Sequence, residues 1–172
     1  MRDEGARQVF RQKIKSYQQD KRNIIYLDES GFASDMPRKH GYAPRGQRCF
    51  GAHGWSEKGR TNVIGALLDK QLVSACLFKS TVDADVFYGW ITQDLLPKAP
   101  EQSVIVMDNA SIHKRKDICN VIQNAGHTLE FMPTYSPDLN PIENKWAYLK
   151  AIRRKLQCSV ENLFKIESIY VT

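Results

Sequence analysis

Two aspartates stand directly after short apolar runs in the sequence. Asp28 follows the run at residues 24–27 and Asp108 follows the run at residues 104–107, and each run is typical of a buried strand that ends in a turn. Because ligands of open α/β sheets bind outside the carboxyl ends of the strands, we expect the two side chains to meet in one site. Either aspartate alone is also an ordinary turn residue. As a pair beside a packed core they repel each other unless a cation neutralises them, so the pair predicts a metal site.

A third carboxylate lies on the first turn of a predicted helix. Asn140 is a suitable N-cap residue and Pro141 suits the first helical position, which places Glu143 three residues after the cap. One interpretation is a capping box, in which the Glu143 carboxylate accepts a hydrogen bond from the Asn140 amide. The other is a third metal ligand, since a first-turn glutamate is held rigidly. The spacing is defined, with 34 residues between Asp108 and Glu143.

The surrounding sequence predicts strands that alternate with helices. The predicted strands are residues 24–27, 63–68, 72–78, 104–107 and 128–132, and the second and third form a β-hairpin. The predicted helices are residues 83–96, which Pro97 closes, residues 114–124, which Gly126 ends, and a helix from Pro141. Hairpin-like strands followed by alternating strands and helices predict an α/β fold, a mixed sheet flanked by helices.

Three motifs occur in a fixed order along the chain. They are LDES at residues 27–30, MDNASIH at residues 107–113 and YSPDLNPIENKW at residues 135–146. Together they resemble the catalytic domain of mariner-type DDE transposases, in the branch found in bacterial insertion sequences. The resemblance runs from about residue 24 to residue 156 and implies a ribonuclease H-like fold with Asp28, Asp108 and Glu143 as the catalytic triad.

The resemblance also implies a metal cofactor and a reaction. Asp28, Asp108 and Glu143 would hold two Mg²⁺ or Mn²⁺ ions on a DNA phosphate, and hard divalent ions of this kind prefer carboxylate and phosphate oxygens. Two such ions ~3.5–4 Å apart can activate a water on one side and stabilise the leaving oxygen on the other. The implied activity is DNA strand cleavage at the ends of an insertion sequence, followed by strand transfer into target DNA.

Four residues near the triad have weaker assignments. Glu29 points to the face opposite Asp28 if the strand continues, so we expect it to support the site from behind or to lie on the surface. Asn109 is expected to hydrogen-bond at the edge of the site. His113 either orients a phosphate or water, or faces solvent at a helix start. Trp146, one turn after Glu143, is expected to pack in the core and fix its helix rather than to stack on a base.

The charge of the chain favours an anionic partner. Its 25 lysines and arginines exceed its 19 acidic residues, which gives a net charge of +6 and a pI near 9.2, and nucleic acid is the first candidate. Several basic residues flank the proposed site in sequence and are expected to line a phosphate track. They are Arg38, Lys39, Arg45, Arg48, Lys114, Arg115, Lys116, Arg153, Arg154 and Lys155.

Membrane and disulfide-based classes are not supported. The longest uncharged apolar stretch, residues 63–68, is far shorter than the ~20 residues of a spanning helix, and the charged amino-terminal residues do not form a secretory signal. The four cysteines show no CxxC pair, so reduced thiols and a cytoplasmic protein are expected. The resemblance implies a bacterial protein that is nucleoid-associated when bound to DNA. Cys49 and His53 could share a metal, but a half-site without a second pair is weak.

The chain divides into three predicted parts. Residues 1–22 form a charged leader helix or linker, residues 23–157 form the catalytic domain, and residues 158–172 form a tail of undefined structure. The resemblance implies a helix-turn-helix half, separate or fused, that recognises terminal repeats on double-stranded DNA, and a homodimer on that DNA. Residues 1–22 leave no room for this half, so we expect a split-frame, truncated or excised product.

Two other functions fit the same sequence less well. One is a non-catalytic fragment that binds DNA or a partner and inhibits full-length transposase, although the retention of all three carboxylates counts against simple decay. The other is a different nuclease of the ribonuclease H fold, such as a junction resolvase. The YSPDLNPIE segment at residues 135–143 favours the transposase over the resolvase.

Overall fold

A five-stranded mixed sheet forms the centre of the molecule. The structure is a computed structural model that describes residues 3–33 and 59–169, and for residues 167–169 the backbone alone. The strands are β1 (Ile24–Ala33), β2 (Arg60–Leu68), β3 (Gln71–Phe78), β4 (Val104–Met107) and β5 (Thr128–Phe131), in the order β3-β2-β1-β4-β5. The β1, β2 and β3 strands are antiparallel neighbours, whereas β4 is parallel to both β1 and β5. This is the mixed α/β sheet that the sequence predicts.

Six α-helices surround the sheet in the described part of the chain. They are α1 (Glu4–Gln19), α2 (Ala84–Trp90), α3 (Leu96–Lys98), α4 (Lys116–Asn124), α5 (Ile142–Leu156) and α6 (Val160–Ile169). A π-helical stretch (Ile91–Leu95) joins α2 to α3, so the predicted helix at residues 83–96 continues through Pro97 rather than closing before it. Short 3₁₀ helices precede α4 (Ser111–Lys114) and α5 (Pro137–Leu139).

Each face of the sheet has its own apolar core. On one face, Ile25 and Leu27 of β1 pack with Phe87, Leu95 and Ile118 from the helices. On the other face lies a second cluster, formed by Phe32, Val63, Leu67, Leu72, Ile142, Trp146, Leu149, Val160 and Leu163. Because side chains alternate along a strand, Asp28 lies on the α5 face of β1 and Glu29 lies on the α2 and α4 face.

The β1 strand is longer than the sequence predicts. The expected strand stops at residue 27, but the observed strand continues to Ala33, because it remains paired with β2 from Ile25 opposite Leu68 to Ala33 opposite Arg60. Pairing with the shorter β4 covers only residues 24–26 of β1. Asp28 therefore lies inside a strand, just beyond the point where the parallel ladder with β4 ends.

The α1 helix, predicted as a leader or linker, packs on the domain. Phe10 is buried against Ile24, Val104 and Met132. The guanidinium of Arg7, which is 5% exposed, donates two hydrogen bonds to the Asp138 carboxylate at 3.1 and 2.7 Å. These contacts attach α1 to the segment that leads into α5. Within the described residues, no helix is long and apolar enough to cross a membrane.

Candidate active site

All three candidate carboxylates line one cleft. The cleft has a volume of about 360 Å³, and Asp28, Asp108 and Glu143 reach it from β1, from the loop after β4 and from α5. Its other lining residues are Asn109, Ala110, Met132, Pro133, Thr134, Tyr135, Ser136, Pro137 and Asn140. The two strand-linked aspartates thus meet where the parallel β1 and β4 ladder ends, as the sequence predicts.

Asp28 is held in a partly buried position by an aromatic donor. The indole Nε1 of Trp146 donates a hydrogen bond to Asp28 Oδ2 at 3.1 Å. Burial, together with the negative charges of Glu143 and Asp108, raises the pKa of Asp28 to about 7, although hydrogen bonds from the Glu29 backbone and Trp146 oppose this rise. Glu143 and Asp108 therefore both act electrostatically on Asp28.

Asp108 occupies a more polar position. Its side chain is 50% exposed, and Oδ1 accepts hydrogen bonds from the Ala110 amide at 3.0 Å and from the ring of His113, with Nδ1 at 2.5 Å. The contact with His113 is the main cause that lowers the pKa of Asp108. This carboxylate therefore stays ionised without a metal.

His113 lies behind Asp108 and does not face solvent. It is 5% exposed, its ring packs on Phe87 with the centroids 4.4 Å apart, and its Nε2 lies 3.6 Å from Glu29 Oε1. Burial lowers the pKa of His113, but the contacts with Asp108 and Glu29 outweigh it and raise the pKa to about 9. Protonated His113 then donates to Asp108 from Nδ1 and directs Nε2 towards Glu29.

Glu29 supports the site from the opposite face of β1. Its Oε1 and the Nε2 of His113 are buried and have no hydrogen-bond partner among the described residues, and they face each other at slightly more than hydrogen-bond distance. The two groups therefore interact by charge attraction rather than by a hydrogen bond. Glu29 thus contacts Asp108 through His113 rather than directly.

Glu143 is positioned by the start of α5. Asn140 Nδ2 donates to the Leu27 carbonyl at 3.2 Å, and Asn140 Oδ1 accepts from the Ile142 amide at 3.3 Å, which joins the helix start to β1 beside Asp28. The helix begins at Ile142, one residue later than predicted. The Asn140 amide donates to the Pro137 carbonyl, so the predicted alternative of a capping box with Glu143 does not form.

The donor set suits a hard divalent cation in an open arrangement. The three carboxylates supply the oxygen ligands and the negative charge that Mg²⁺ and Mn²⁺ require. Among the described residues, no three His, Cys, Asp or Glu side chains are close enough to form a ready metal-binding cluster. Asp28, Asp108 and Glu143 thus line the same cleft without forming such a cluster.

The predicted basic track divides into exposed and engaged side chains. Lys114, Lys116, Arg154 and Lys155 are exposed. Arg115 makes ion pairs with Asp85 and Asp117, and Arg153 is buried, where it donates to the Ala33 carbonyl at 2.6 Å and the Cys158 carbonyl at 3.2 Å. The remaining basic residues, Arg38, Lys39, Arg45 and Arg48, lie outside the described residues, as do Cys49 and His53.

Three features of the site are absent from the sequence prediction. Tyr135 lines the cleft, is 73% exposed and has a positive φ of 55°. Trp146 is a core residue, as predicted, but it also contacts Asp28. Gly65 lies opposite Asp28 in the pairing of β1 with β2. A glycine inside the apolar strand sequence at residues 63–68 is the one signal that could have indicated a close approach there.

Solved structures of one transposase resemble this fold. The crystal structure of a pre-cleavage Mos1 transpososome matches with a TM-score of 0.69 and 19% identity, over 96% of this chain and 53% of that chain. The crystal structure of the catalytic domain of Mos1 mariner transposase matches with a TM-score of 0.65 and 16% identity, over 96% of this chain and 78% of that chain. These likenesses confirm the ribonuclease H-like fold. The chain spans about half the length of the Mos1 chains in DNA complexes.

Sequence comparison identifies the family. No curated protein sequence matches the chain significantly. A family model described as DDE superfamily endonuclease matches residues 23–163, which include Asp28, Asp108 and Glu143 and the elements that carry them. The chain therefore belongs to the DDE superfamily of endonucleases.

Proposed function

We propose that this domain is a transposase catalytic domain that carries out divalent-metal-dependent DNA strand cleavage and strand transfer, for an insertion sequence of the bacterial mariner-type branch. The observation that carries the proposal is the meeting of Asp28, Asp108 and Glu143 from three separate elements in one cleft. Membership of the DDE superfamily and a fold like that of the Mos1 catalytic domain support it. Mos1 structures with Mg and with Mn support the choice of metals.

Each residue of the site has a defined task in this proposal. Asp28, Asp108 and Glu143 would hold two Mg²⁺ or Mn²⁺ ions, which when bound activate a water and stabilise the leaving oxygen of the cleaved strand. His113 keeps Asp108 ionised and oriented through the 2.5 Å contact with its Oδ1. Asn140 fixes the start of α5, and with it Glu143, against the end of the β1 and β4 ladder.

Double-stranded DNA is the proposed substrate, both as terminal repeats and as target. Solved Mos1 structures include a paired-end complex with the left transposon end and a strand transfer complex. In this chain, the exposed cations of Lys114, Lys116, Arg154 and Lys155 are available for phosphates, which gives binding that weakens as salt rises. A homodimer on DNA, a separate or fused helix-turn-helix half and a nucleoid location in a bacterial cytoplasm complete the proposal.

Thermal melting in Mn²⁺ and Mg²⁺ is the first test of this function. An ion that binds only the folded site raises the melting temperature by mass action. We expect a rise for the wild type that Asp108→Asn lacks, and Mn²⁺-dependent nicking of a supercoiled plasmid that Asp28→Asn, Asp108→Asn and Glu143→Gln each reduce at least ~1,000-fold. Nicking by any of the three at the wild-type rate would contradict the proposal.

A second set of assays separates the alternative functions. Mixing the chain with an active transposase and scoring excision would give inhibition if the chain is a non-catalytic fragment, and stimulation if it supplies a catalytic half. Joining of product 3′ ends to target DNA distinguishes a transposase from a junction resolvase. No metal-induced rise together with inhibition would support the non-catalytic alternative.

A further inference from the structure

We propose that Trp146 and Gly65 act together as a positioning pair for Asp28, and that their task is to set the affinity of the site for its divalent ion. The inference rests on the proposed function, because it assigns Asp28 to a metal. It concerns two residues that touch neither metal nor DNA in that proposal.

The hydrogen bond fixes the Asp28 carboxylate. Trp146 is 1% exposed, and its Nε1 donates to Asp28 Oδ2 at 3.1 Å. Edge-to-face packing on Phe32, with ring centroids 6.3 Å apart at 85°, restricts the indole further. A donor that cannot move leaves the carboxylate one favoured rotation, and a carboxylate with a fixed rotation loses less conformational freedom when a cation binds.

Gly65 provides the space that the indole occupies. In the register of β1 with β2, Gly65 lies directly opposite Asp28. A Cβ atom at this position would lie 2.4 Å from Trp146 Cη2 and 2.8 Å from Cζ2. Both ring atoms belong to a buried, closely packed side chain, so any larger residue would displace the indole. The glycine is therefore needed for the indole to reach Asp28.

The location of Trp146 links two members of the triad. Trp146 and Glu143 lie one turn apart on α5, whereas Asp28 lies on β1. A helix turn is rigid, so the indole that contacts Asp28 also fixes how far Glu143 stands from it. The single contact thus relates two carboxylates from different elements. Partners of this kind behind a ligand typically change metal affinity ~10–100-fold.

A pair of matched tryptophan variants tests the inference. Trp146→Phe keeps an aromatic ring and removes the N–H donor. Trp90→Phe is the control, because Trp90 is also buried and its Nε1 donates to Ser74 Oγ at 2.8 Å, away from the cleft. We expect both variants to lower the metal-free melting temperature. Only Trp146→Phe should raise the Mn²⁺ concentration that gives the half-maximal melting shift, by ~10–100-fold.

The outcomes separate this inference from the proposed function. If the wild type shows no metal-induced rise, the inference fails, and the plasmid-nicking assay decides the proposed function separately. If the wild type responds and Trp146→Phe has the same Mn²⁺ midpoint as Trp90→Phe, the positioning role is wrong and the proposed function stands. Gly65→Ala should weaken Mn²⁺ binding as Trp146→Phe does, and a wild-type midpoint in a folded Gly65→Ala protein would equally overturn the inference.

A spectroscopic measurement covers the case in which Trp146→Phe does not fold. The chain has three tryptophans, so a protein with both Trp55→Phe and Trp90→Phe reports on Trp146 alone. Because its indole is bonded to Asp28, Mg²⁺ should change its emission with the same midpoint as the Mg²⁺-dependent melting shift. Unchanged emission while Mg²⁺ raises the melting temperature would overturn the inference.

Discussion

Asp28 and Asp108 line the same cleft, but their side chains lie in different environments. Asp28 lies inside a strand, accepts from a buried indole, and has its pKa raised to about 7 by burial and by its carboxylate neighbours. Asp108 lies in a loop, accepts from His113, and has its pKa lowered by that contact. One carboxylate is held by packing and the other by charge. A site built this way needs a cation for the first aspartate far more than for the second.

Among substitutions outside the triad, the largest expected effect on nicking comes from removing His113, the charged partner of Asp108. His113→Ala removes one of the two hydrogen-bond partners of Asp108 Oδ1 and leaves a cavity beside Phe87. Since Asp108 then loses its orientation, we expect Mn²⁺-dependent plasmid nicking to fall ~10–100-fold. His113→Gln keeps an N–H donor, so it should recover part of this loss. Equal rates for His113→Ala and the wild type would show that Asp108 does not need the contact with His113.

The next effect is a stability difference of opposite sign between the two aspartates. Without metal, ionised Asp28 is opposed by burial and by two carboxylates, so Asp28→Asn should stabilise the protein at pH 8 by roughly 1–2 kcal/mol. Asp108→Asn removes the anion that His113 faces and should destabilise it. Urea unfolding in EDTA measures both. Destabilisation by Asp28→Asn would mean that the negative charge on Asp28 is already compensated without a cation.

The meeting of the three carboxylates in one cleft could be predicted because each belongs to a local pattern. Apolar runs before Asp28 and Asp108, and a cap before Glu143, are short-range signals that fix an element and its end. The continuation of β1 to Ala33 was missed, because Gly31 and the polar residues before it are typical of a turn, and only pairing with β2 makes them a strand.

The supports of the carboxylates could not be predicted in the same way. Trp146 is separated from Asp28 by 118 positions, and Glu29 contacts His113 from a different element. Such contacts depend on how helices lie across the sheet, and no local spacing encodes that. The sequence therefore left a solvent-facing position open for His113 and predicted only a packing role for Trp146.

A pH profile of the metal-free protein should separate the two supports. The pKa of His113 is raised from 6.5 to about 9 in the fold, so its contribution to stability is fully present below pH 6.5 and lost as the pH rises through about 9. The pKa of Asp28 is raised from 3.8 to about 7, so ionisation of Asp28 lowers stability as the pH rises between about 4 and 7. In EDTA, we expect the melting temperature to fall from about pH 4 to about pH 9. Asp28→Asn should remove the part of that fall below about pH 7, and His113→Gln the part between pH 6.5 and about 9.

The smallest expected effect concerns Glu29, which reaches Asp108 only through His113. Its Oε1 lies 3.6 Å from His113 Nε2, a distance that gives charge attraction without a good hydrogen bond. Glu29→Gln should therefore lower plasmid nicking only about two- to fivefold, less than His113→Ala. Because Glu29 reaches Asp108 only through His113, Glu29→Gln should have no further effect in a His113→Ala background. An undiminished effect in the double variant would mean that Glu29 acts on Asp28 or on the cleft independently of His113. Charged support from the α2 and α4 face of β1 would then not be specific to Asp108.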